Sequence, residues 1–192
     1  MKTIKTAILL FIVLTVTTGV VYPVVVTIIG RVAFPQQAAG SLLRADDGAI
    51  LGSALIGQQF SGHKYFWPRP SATADFPYNS MASGGSNLGP TNPELLKAVA
   101  TRVKSVHEAG LPGPVPSDLA LSSGSGLDPH IGPEAAAFQV ARVARARGMT
   151  EAQVRRLVDD HLEDAQWGFL GMPRLNVLKL NLALDRLSAH GR

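Results

Sequence analysis

The side chains best suited to chemistry, Ser125, Asp128 and His130, lie within six residues of one another. A serine with a histidine and a carboxylate is the constellation of a serine hydrolase. The nucleophile elbow of such enzymes needs Gly-x-Ser-x-Gly, however, and Gly124-Ser125-Gly126 has the wrong spacing. Triad members also converge from separate elements, so closeness in sequence gives no support. We therefore expect Ser125 or Asp128 to cap backbone groups in a structured loop, with a hydrolase as the alternative.

Two further patterns resemble ligand sites without completing one. Gly84-Gly85-Ser86-Asn87 offers backbone amides to an anion, but a phosphate-binding loop would continue with a lysine, which is missing here. The five histidines are scattered and include no i, i+4 pair of the kind that binds zinc on a helix. The chain has no cysteine, which excludes disulfides, thiol catalysis and cysteine metal sites. We expect no directly bound cofactor or metal ion.

The longest uncharged stretch covers residues 7–29, AILLFIVLTVTTGVVYPVVVTII. As a helix it would extend about 34 Å, enough to cross a hydrocarbon core of about 30 Å. A cleaved signal peptide has a shorter apolar centre and a small-residue cleavage site, which residues 31–35 do not provide. A soluble core helix that is apolar on every face would be unusual. The stretch predicts an uncleaved transmembrane helix.

Orientation is indicated by the short basic tail before this span. Lys2 and Lys5 precede it, and a very short tail ahead of a long polar remainder is typical of a signal anchor that exports the remainder. We therefore expect residues 1–6 to form a cytoplasmic tail, residues 7–29 the transmembrane helix, and residues 30–192 an extracytoplasmic domain.

Turn and capping signals divide that domain into elements. Asp47-Gly48 between two apolar runs predicts a β-hairpin. Asn92 followed by Pro93 predicts a helix that ends at Gly110. Pro133 predicts the start of a second helix, over Glu134 to Arg147, which Gly148 ends. Thr150, with Gln153 three residues later, predicts a third helix with a capping box.

The last segment of the domain is ambiguous in period. Leucines alternate with other residues from Leu175 to Leu184, which predicts a strand; a helix capped by Asn176 is the alternative, with the residues up to His190 helical. Two Gly/Pro-rich stretches, residues 61–93 and 111–132, separate the elements. Aromatic residues in the first favour an ordered, function-bearing loop over a solvated linker. The fold class is a single N-terminal transmembrane helix plus one mixed α/β (α+β) domain with two ordered Gly/Pro-rich loops.

The basic character of the chain, with a net charge of +4 and a pI near 9.7, raises the question of nucleic-acid binding. The densest basic group, residues 142–156, lies on predicted helices among acidic residues, which indicates solvated helix faces. Lys64 to Pro70 mixes cations with aromatics. Beside a membrane anchor, cation–π packing or docking against a membrane partner explains that mixture more simply than base stacking. We expect no nucleic-acid partner.

Four stretches of the domain carry long motifs in a fixed order. They are Tyr65-Phe66 with Arg69-Pro70-Ser71-Ala72, ASGGSNLGPTNP at residues 82–93, SGSGLDPHI at residues 123–131, and RLNVL through NLALD at residues 174–185. These stretches resemble the C subunit of the Kdp-type potassium-transporting ATPase of bacteria. With the N-terminal span, the resemblance covers essentially the whole chain. One departure is Met172, where the family has a glutamate.

The resemblance implies a complex in the bacterial inner membrane with three other subunits. One is channel-like and selects potassium, one is a P-type ATPase that hydrolyses ATP, and one is a very small single-span protein. The chain itself would be a non-catalytic accessory subunit, needed for assembly and acting as a catalytic chaperone that raises the ATP affinity of the ATPase subunit. ATP, Mg²⁺ and K⁺ would belong to the complex.

An exported domain would face away from the nucleotide, so any effect on ATP would be indirect coupling. We hypothesise that the loops at residues 64–93 and 117–132 dock on the outer face of the channel-like subunit, while the transmembrane helix packs laterally in the lipid bilayer. An anchored extracytoplasmic hydrolase and a standalone anchored binding protein are the alternatives. The hypothetical interface residues are Tyr65, Phe66, Arg69, Ser83, Gly84, Gly85, Asn87, Asn92, Ser125, Asp128 and His130.

Overall fold

The computed structural model describes residues 2–190 and divides into two compact units at the Leu51–Gly52 boundary. The first unit begins with a continuous helix over Lys2–Ala33, made of α1 (Lys2–Val16), a π-helical turn (Thr17–Val21) and α2 (Tyr22–Ala33). None of its residues is buried, and it is long and apolar enough to cross a membrane. The predicted helix at residues 7–29 lies entirely within it.

The π-helical turn lies just before Pro23, and the proline explains its position. Pro23 has no N–H to donate to the carbonyl of Gly19, and its ring crowds that carbonyl. The N–H of Tyr22 instead donates to the carbonyl of Thr17, five residues earlier, which is the wider π pattern. The helix therefore continues through the proline.

A β-hairpin follows the short helix α3 (Pro35–Ala38). Strands β1 (Leu42–Arg44) and β2 (Ile50–Ser53) form a two-stranded sheet. In the turn, the N–H of Ala45 donates to the carbonyl of Ala49 at 2.9 Å, and Gly48 has a φ of +84°. The left-handed backbone at this glycine is the feature that Asp-Gly predicts, and the predicted hairpin is confirmed.

The second unit is mainly helical. Its elements are α4 (Pro93–Glu108), α5 (Ser117–Ala120), β3 (His130–Ile131), α6 (Pro133–Arg147), α7 (Glu151–Asp160), β4 (Leu175–Asn176) and α8 (Val177–His190). Strands β3 and β4 pair antiparallel, with His130 opposite Asn176. The predicted caps are confirmed: the Asn92 side chain accepts from the N–H of Glu94, and Thr150 forms the capping box with Gln153. The short elements α5 and β3 lie in a stretch that was predicted as loop.

The predicted strand from Leu175 to Leu184 is wrong beyond its first two residues. Asn176 ends β4, and its side-chain oxygen accepts the N–H of Lys179 at 3.1 Å, which caps α8. Leu180 and Leu184 are four residues apart and both fully buried, so the leucine run fits a helical period as well as a strand period. The alternative, a helix capped by Asn176, is confirmed.

The core of the second unit lies among α6, α7, α8 and the two short strands. Its largest fully buried apolar side chains are Phe66, Ile131, Val140, Val143, Val154, Leu175, Val177, Leu180 and Leu184. All but Phe66 belong to regular elements. Phe66 belongs to an irregular segment, so the core requires that segment to be held in place.

Two buried amide side chains hold the backbone at Phe66 and Trp67. Asn181 of α8 accepts the N–H of Phe66 at 2.8 Å and donates to its carbonyl at 3.0 Å. Gln139 of α6 accepts the N–H of Trp67 at 2.7 Å and donates to its carbonyl at 3.1 Å. Each amide thus replaces the neighbouring strand that would otherwise satisfy these backbone groups.

Arg142 of α6 extends the same support to the residues before Phe66. Its guanidinium donates to the carbonyls of His63 at 2.7 Å and Tyr65 at 3.0 Å, and it lies 4.3 Å from the ring centroid of Trp67. Burial lowers the pKa of Arg142 to about 10, so the group keeps its charge at neutral pH. A charged donor is the strong form of this contact.

Replacing Gln139 with leucine keeps the volume and leaves the N–H and carbonyl of Trp67, a half-buried residue, without this partner. We expect Gln139→Leu to lower the free energy of unfolding by about 2–4 kcal/mol, at about 1–3 kcal/mol for each unsatisfied group. Urea unfolding of the full chain in detergent, followed by tryptophan fluorescence, measures this. Gln59→Leu, at an exposed glutamine, is the matched control. Equal midpoints for the two variants would contradict the role of Gln139.

Candidate partner-docking surface

The two Gly/Pro-rich stretches join in one continuous surface. The hydroxyl of Ser83 and the N–H of Gly84 both donate to the carbonyl of Ser125, at 3.1 and 2.9 Å. The hydroxyl of Ser71 donates to the carbonyl of Gly126 at 2.8 Å. Residues far apart in sequence therefore act as one structural element, which we call the loop surface (residues 64–93 and 117–132).

Close backbone approach explains the glycines at this junction. A Cβ on Gly126 would lie 2.6 Å from the carbonyl oxygen of Gly84, and the φ of Gly126 is +67°. A Cβ on Gly85 would lie 2.9 Å from the carbonyl oxygen of Gly124. Both distances are shorter than a side chain tolerates, so the glycines here let two backbones meet.

Arg69 is the electrostatic centre of the loop surface. Its Nη1 lies 3.4 Å from Oδ2 of Asp128, and its Nε lies 3.8 Å from Oδ1 of Asp118. The other oxygen of Asp118 accepts the N–H of Gly132 at 2.7 Å, and the Tyr78 hydroxyl donates to the carbonyl of Arg69. The cation thus links the first stretch to both ends of the second.

Asp128 and His130 form a local pair beside this cation. One oxygen of Asp128 accepts the N–H of His130 at 3.0 Å and lies 3.2 Å from the ring Nδ1. Burial raises the pKa of Asp128, but the hydrogen bonds from His130 and the charge of Arg69 outweigh it and leave the pKa below its ordinary value. Burial, and then the charge of Asp128, raise the pKa of Tyr78 well above its ordinary value. At neutral pH the site holds a carboxylate and an un-ionised phenol.

Ser125 makes hydrogen bonds of a structural kind. Its hydroxyl accepts the N–H of Leu127 at 3.1 Å, while the carboxylate of Asp128 accepts the N–H of His130. The predicted capping roles of both residues are confirmed. Across residues 2–190, no hydrogen bond joins Ser125 to His130 that would pair a nucleophile with a base.

The remaining predicted interface residues divide by exposure. Asn87 is exposed, with a φ of +53°, whereas Asn92 caps α4. Tyr65 is half-buried; its hydroxyl donates to Asp185 at 3.1 Å, and Arg147 lies 5.0 Å from its ring centroid. Phe66 is completely buried, so it positions the segment and presents no surface of its own.

Two depressions border Arg69. One, of about 460 Å³, is lined by Trp67, Tyr78, Arg102 and Leu119 among others. The other, of about 710 Å³, is lined by Asp118, Asp128, His130, Met172 and Arg174 among others. Asp118 and Tyr78 are not among the predicted site residues, since nothing in their local sequence shows that they lie beside Arg69.

Gly85 and Gly84 provide a matched test of the close approach. Gly85→Ala should lower the free energy of unfolding by about 1–3 kcal/mol, because its Cβ would push against the backbone of Gly124. Gly84→Ala should cost much less, since a Cβ there would meet nothing within 4 Å. Chemical unfolding of both variants measures the difference, and an equal cost would contradict this account of the junction.

Because the pKa of Asp128 is lowered in the folded state, the free energy of unfolding should fall as the pH falls. Its contribution to stability is complete above its ordinary pKa, near 4, and is lost as pH falls through the lower pKa of the folded state. Asp128→Asn should therefore cost about 1–2 kcal/mol at pH 6, and the cost should shrink below about pH 4. Unfolding at several pH values measures this, with Asp75→Asn, at an exposed aspartate, as the control. A pH-independent cost would contradict the prediction.

The chain has relatives over nearly its whole length. It matches the sequence model of the family described as KdpC, K+-transporting ATPase, c chain, over residues 4–186. A potassium-transporting ATPase KdpC subunit of Geotalea uraniireducens is 61% identical over 188 residues, 98% of this chain and 100% of that protein. The corresponding subunit of Citrifermentans bemidjiense is 60% identical over 185 residues, 96% of this chain and 97% of that protein. That of Methylococcus capsulatus is 57% identical over 185 residues, 95% of this chain and 97% of that protein. The chain belongs to the KdpC family, the c chains of K+-transporting ATPases, as the resemblance of its motifs indicates.

Proposed function

We propose that this chain is a non-catalytic accessory subunit of an ATP-driven potassium-uptake complex, needed for the assembly of that complex. Relatives that it covers almost completely are named as the KdpC subunit of a potassium-transporting ATPase. The observation that carries the proposal is the loop surface, in which hydrogen bonds join the two stretches and ion pairs surround Arg69. Such a construction suits the binding of a partner, and within residues 2–190 no histidine is hydrogen-bonded to Ser125 as the base of a hydrolase would be.

The membrane placement is part of the proposal. Helix Lys2–Ala33 would lie in the bacterial inner membrane as a single span, and its length and composition support this. The N-terminus would be cytoplasmic and the second unit extracytoplasmic. Lys2 and Lys5 on the short tail support this orientation.

The proposed partners are the channel-like potassium-binding subunit, the P-type ATPase subunit and the very small single-span subunit. The loop surface would dock on the outer face of the channel-like subunit. Ser83, Asn87 and Ser125 are exposed on this surface, while Arg69 and Asp128 are half-buried and already paired. A surface fixed before binding loses little conformational freedom when the partner arrives, which supports a docking role.

ATP, Mg²⁺ and K⁺ would be handled by the other subunits. An extracytoplasmic domain cannot touch a nucleotide on the cytoplasmic side, so an effect on ATP affinity would pass through the span or the channel-like subunit. Coupling of this kind requires an element with two states that both sites bias. The chain would act as a catalytic chaperone by favouring the state that binds ATP more tightly.

Arg69→Ala tests the docking role. Because it removes the cation that joins both stretches, we expect about a tenfold loss in recovery of the other subunits with the tagged chain, and slow growth at low potassium. Arg145→Ala, at an exposed arginine of α6, is the control. Ser86→Trp adds bulk to an exposed position of the loop surface and should have the same effect without removing an internal contact. A complex that assembles and pumps normally with both variants would contradict the proposal.

Orientation has its own test because the chain has no cysteine. Ala137→Cys places one thiol on the exposed face of α6. A membrane-impermeant thiol reagent should label it in intact cells. Labelling only after the membrane is opened would place the second unit in the cytoplasm, where direct contact with the ATP site becomes possible.

A further inference from the structure

A small hairpin follows α7 and is absent from the sequence-based predictions. The backbones of Glu163 and Arg174 exchange two hydrogen bonds of 2.9 Å, and those of Gln166 and Leu170 exchange two of 2.8 and 2.9 Å. Trp167, with a φ of +55°, and Gly168, with a φ of +82°, make the turn between them. We call residues 163–174 the apolar hairpin.

The tip of the apolar hairpin exposes large apolar side chains. Trp167 and Met172 are each 79% exposed, Phe169 is 74% exposed and Leu170 is 43% exposed. Residues 165–173 include no charged side chain. An exposed cluster of this kind marks an interaction site, and tryptophan in particular is enriched at the centres of protein interfaces.

Ion pairs connect the stem of the hairpin to α8 and join its two sides. Glu163 lies 3.0 Å from Nζ of Lys179 on α8 and 3.4 Å from Nε of Arg174. With the paired backbone, these contacts fix the position of the tip before any partner binds. Presenting the apolar side chains from a preformed turn reduces the entropy lost on binding.

The charges around the stem indicate what kind of partner covers the tip. Glu163 is already paired with Lys179 and Arg174. The other three carboxylates within six residues, those of Asp159, Asp160 and Asp164, are exposed. An anionic lipid surface would repel them, and so would the identical acidic stem of a second copy packed face to face. A basic rim on a protein would attract them.

We propose that the apolar hairpin inserts its tip into an apolar pocket with a lysine- or arginine-rich rim on a membrane-embedded protein subunit of the complex. The inference rests on the proposed function, which supplies such subunits. Met172 and Arg174 line the same depression as Asp128 and His130, so the hairpin continues the loop surface. The tip supplies the apolar anchors, and the loop surface supplies the polar border.

Photo-cross-linking in the intact complex tests the occupant directly. A benzophenone amino acid at Phe169 should form an adduct with another subunit of the purified complex, at a peptide whose apolar residues are flanked by lysine or arginine. The same group at Leu96, which is 60% exposed on α4 and lies outside both the hairpin and the loop surface, is the control. An adduct with lipid only, an adduct with a second copy of this chain, or a yield no higher than at Leu96 would overturn the proposal.

Paired variants measure how much the contact contributes. Met172→Ser and Trp167→Ala together should reduce recovery of the other subunits at least about tenfold, whereas Leu96→Ser, at an exposed leucine of α4 outside both the hairpin and the loop surface, should not. Asp164→Lys should weaken recovery and make it less sensitive to salt. If the unaltered chain recovers no potassium-transport subunit, the proposed function itself fails. If the unaltered chain recovers them and the hairpin variants do so equally, only the present inference fails.

Discussion

The second unit depends on satisfying the backbone of one irregular segment, residues 63–67, inside a helical core. Phe66 is a core side chain, yet its backbone belongs to no strand or helix. Asn181, Gln139 and Arg142 supply the missing hydrogen-bond partners from α8 and α6. Buried backbone groups without partners are costly, so these polar side chains are as necessary to the core as the apolar ones around them.

The loop surface follows from that constraint. Gln139 holds the backbone of Trp67 by hydrogen bonds. This positions Arg69, two residues later, within ion-pair distance of Asp118 and Asp128. Gly85 and Gly126 then allow the backbone of the second stretch to lie against that of the first. The result is a polar surface held by internal bonds, beside a hairpin with exposed apolar side chains. This organisation supports the proposed role of the domain in recognising another protein.

Signals that are local in sequence predicted structure well. The signals that act within four residues predicted elements that are present: two helices and a hairpin. They are the Asn92 cap, the Thr150 capping box with Gln153, and the Asp47-Gly48 turn. The leucine run of α8 was predicted as a strand because its spacing fits the period of a strand as well as that of a helix. The supports given by Gln139 and Asn181 act across more than 70 positions, so no local pattern reveals them. The partners of Arg69 and the close approach at Gly85 were hidden for the same reason. The apolar hairpin was not predicted because it is paired only by isolated bridges, which are too short to give an alternating pattern in the sequence.

We propose that the loop surface lies outside the membrane and is covered by another subunit. A single thiol at Ser86, an exposed residue of that surface in a chain without cysteine, tests both parts. We expect an impermeant maleimide to label Ser86→Cys in intact cells when the chain is produced alone, and we expect labelling to fall at least about tenfold when the other subunits are produced with it. Equal labelling in the two cases, or labelling only after the membrane is opened, would contradict it.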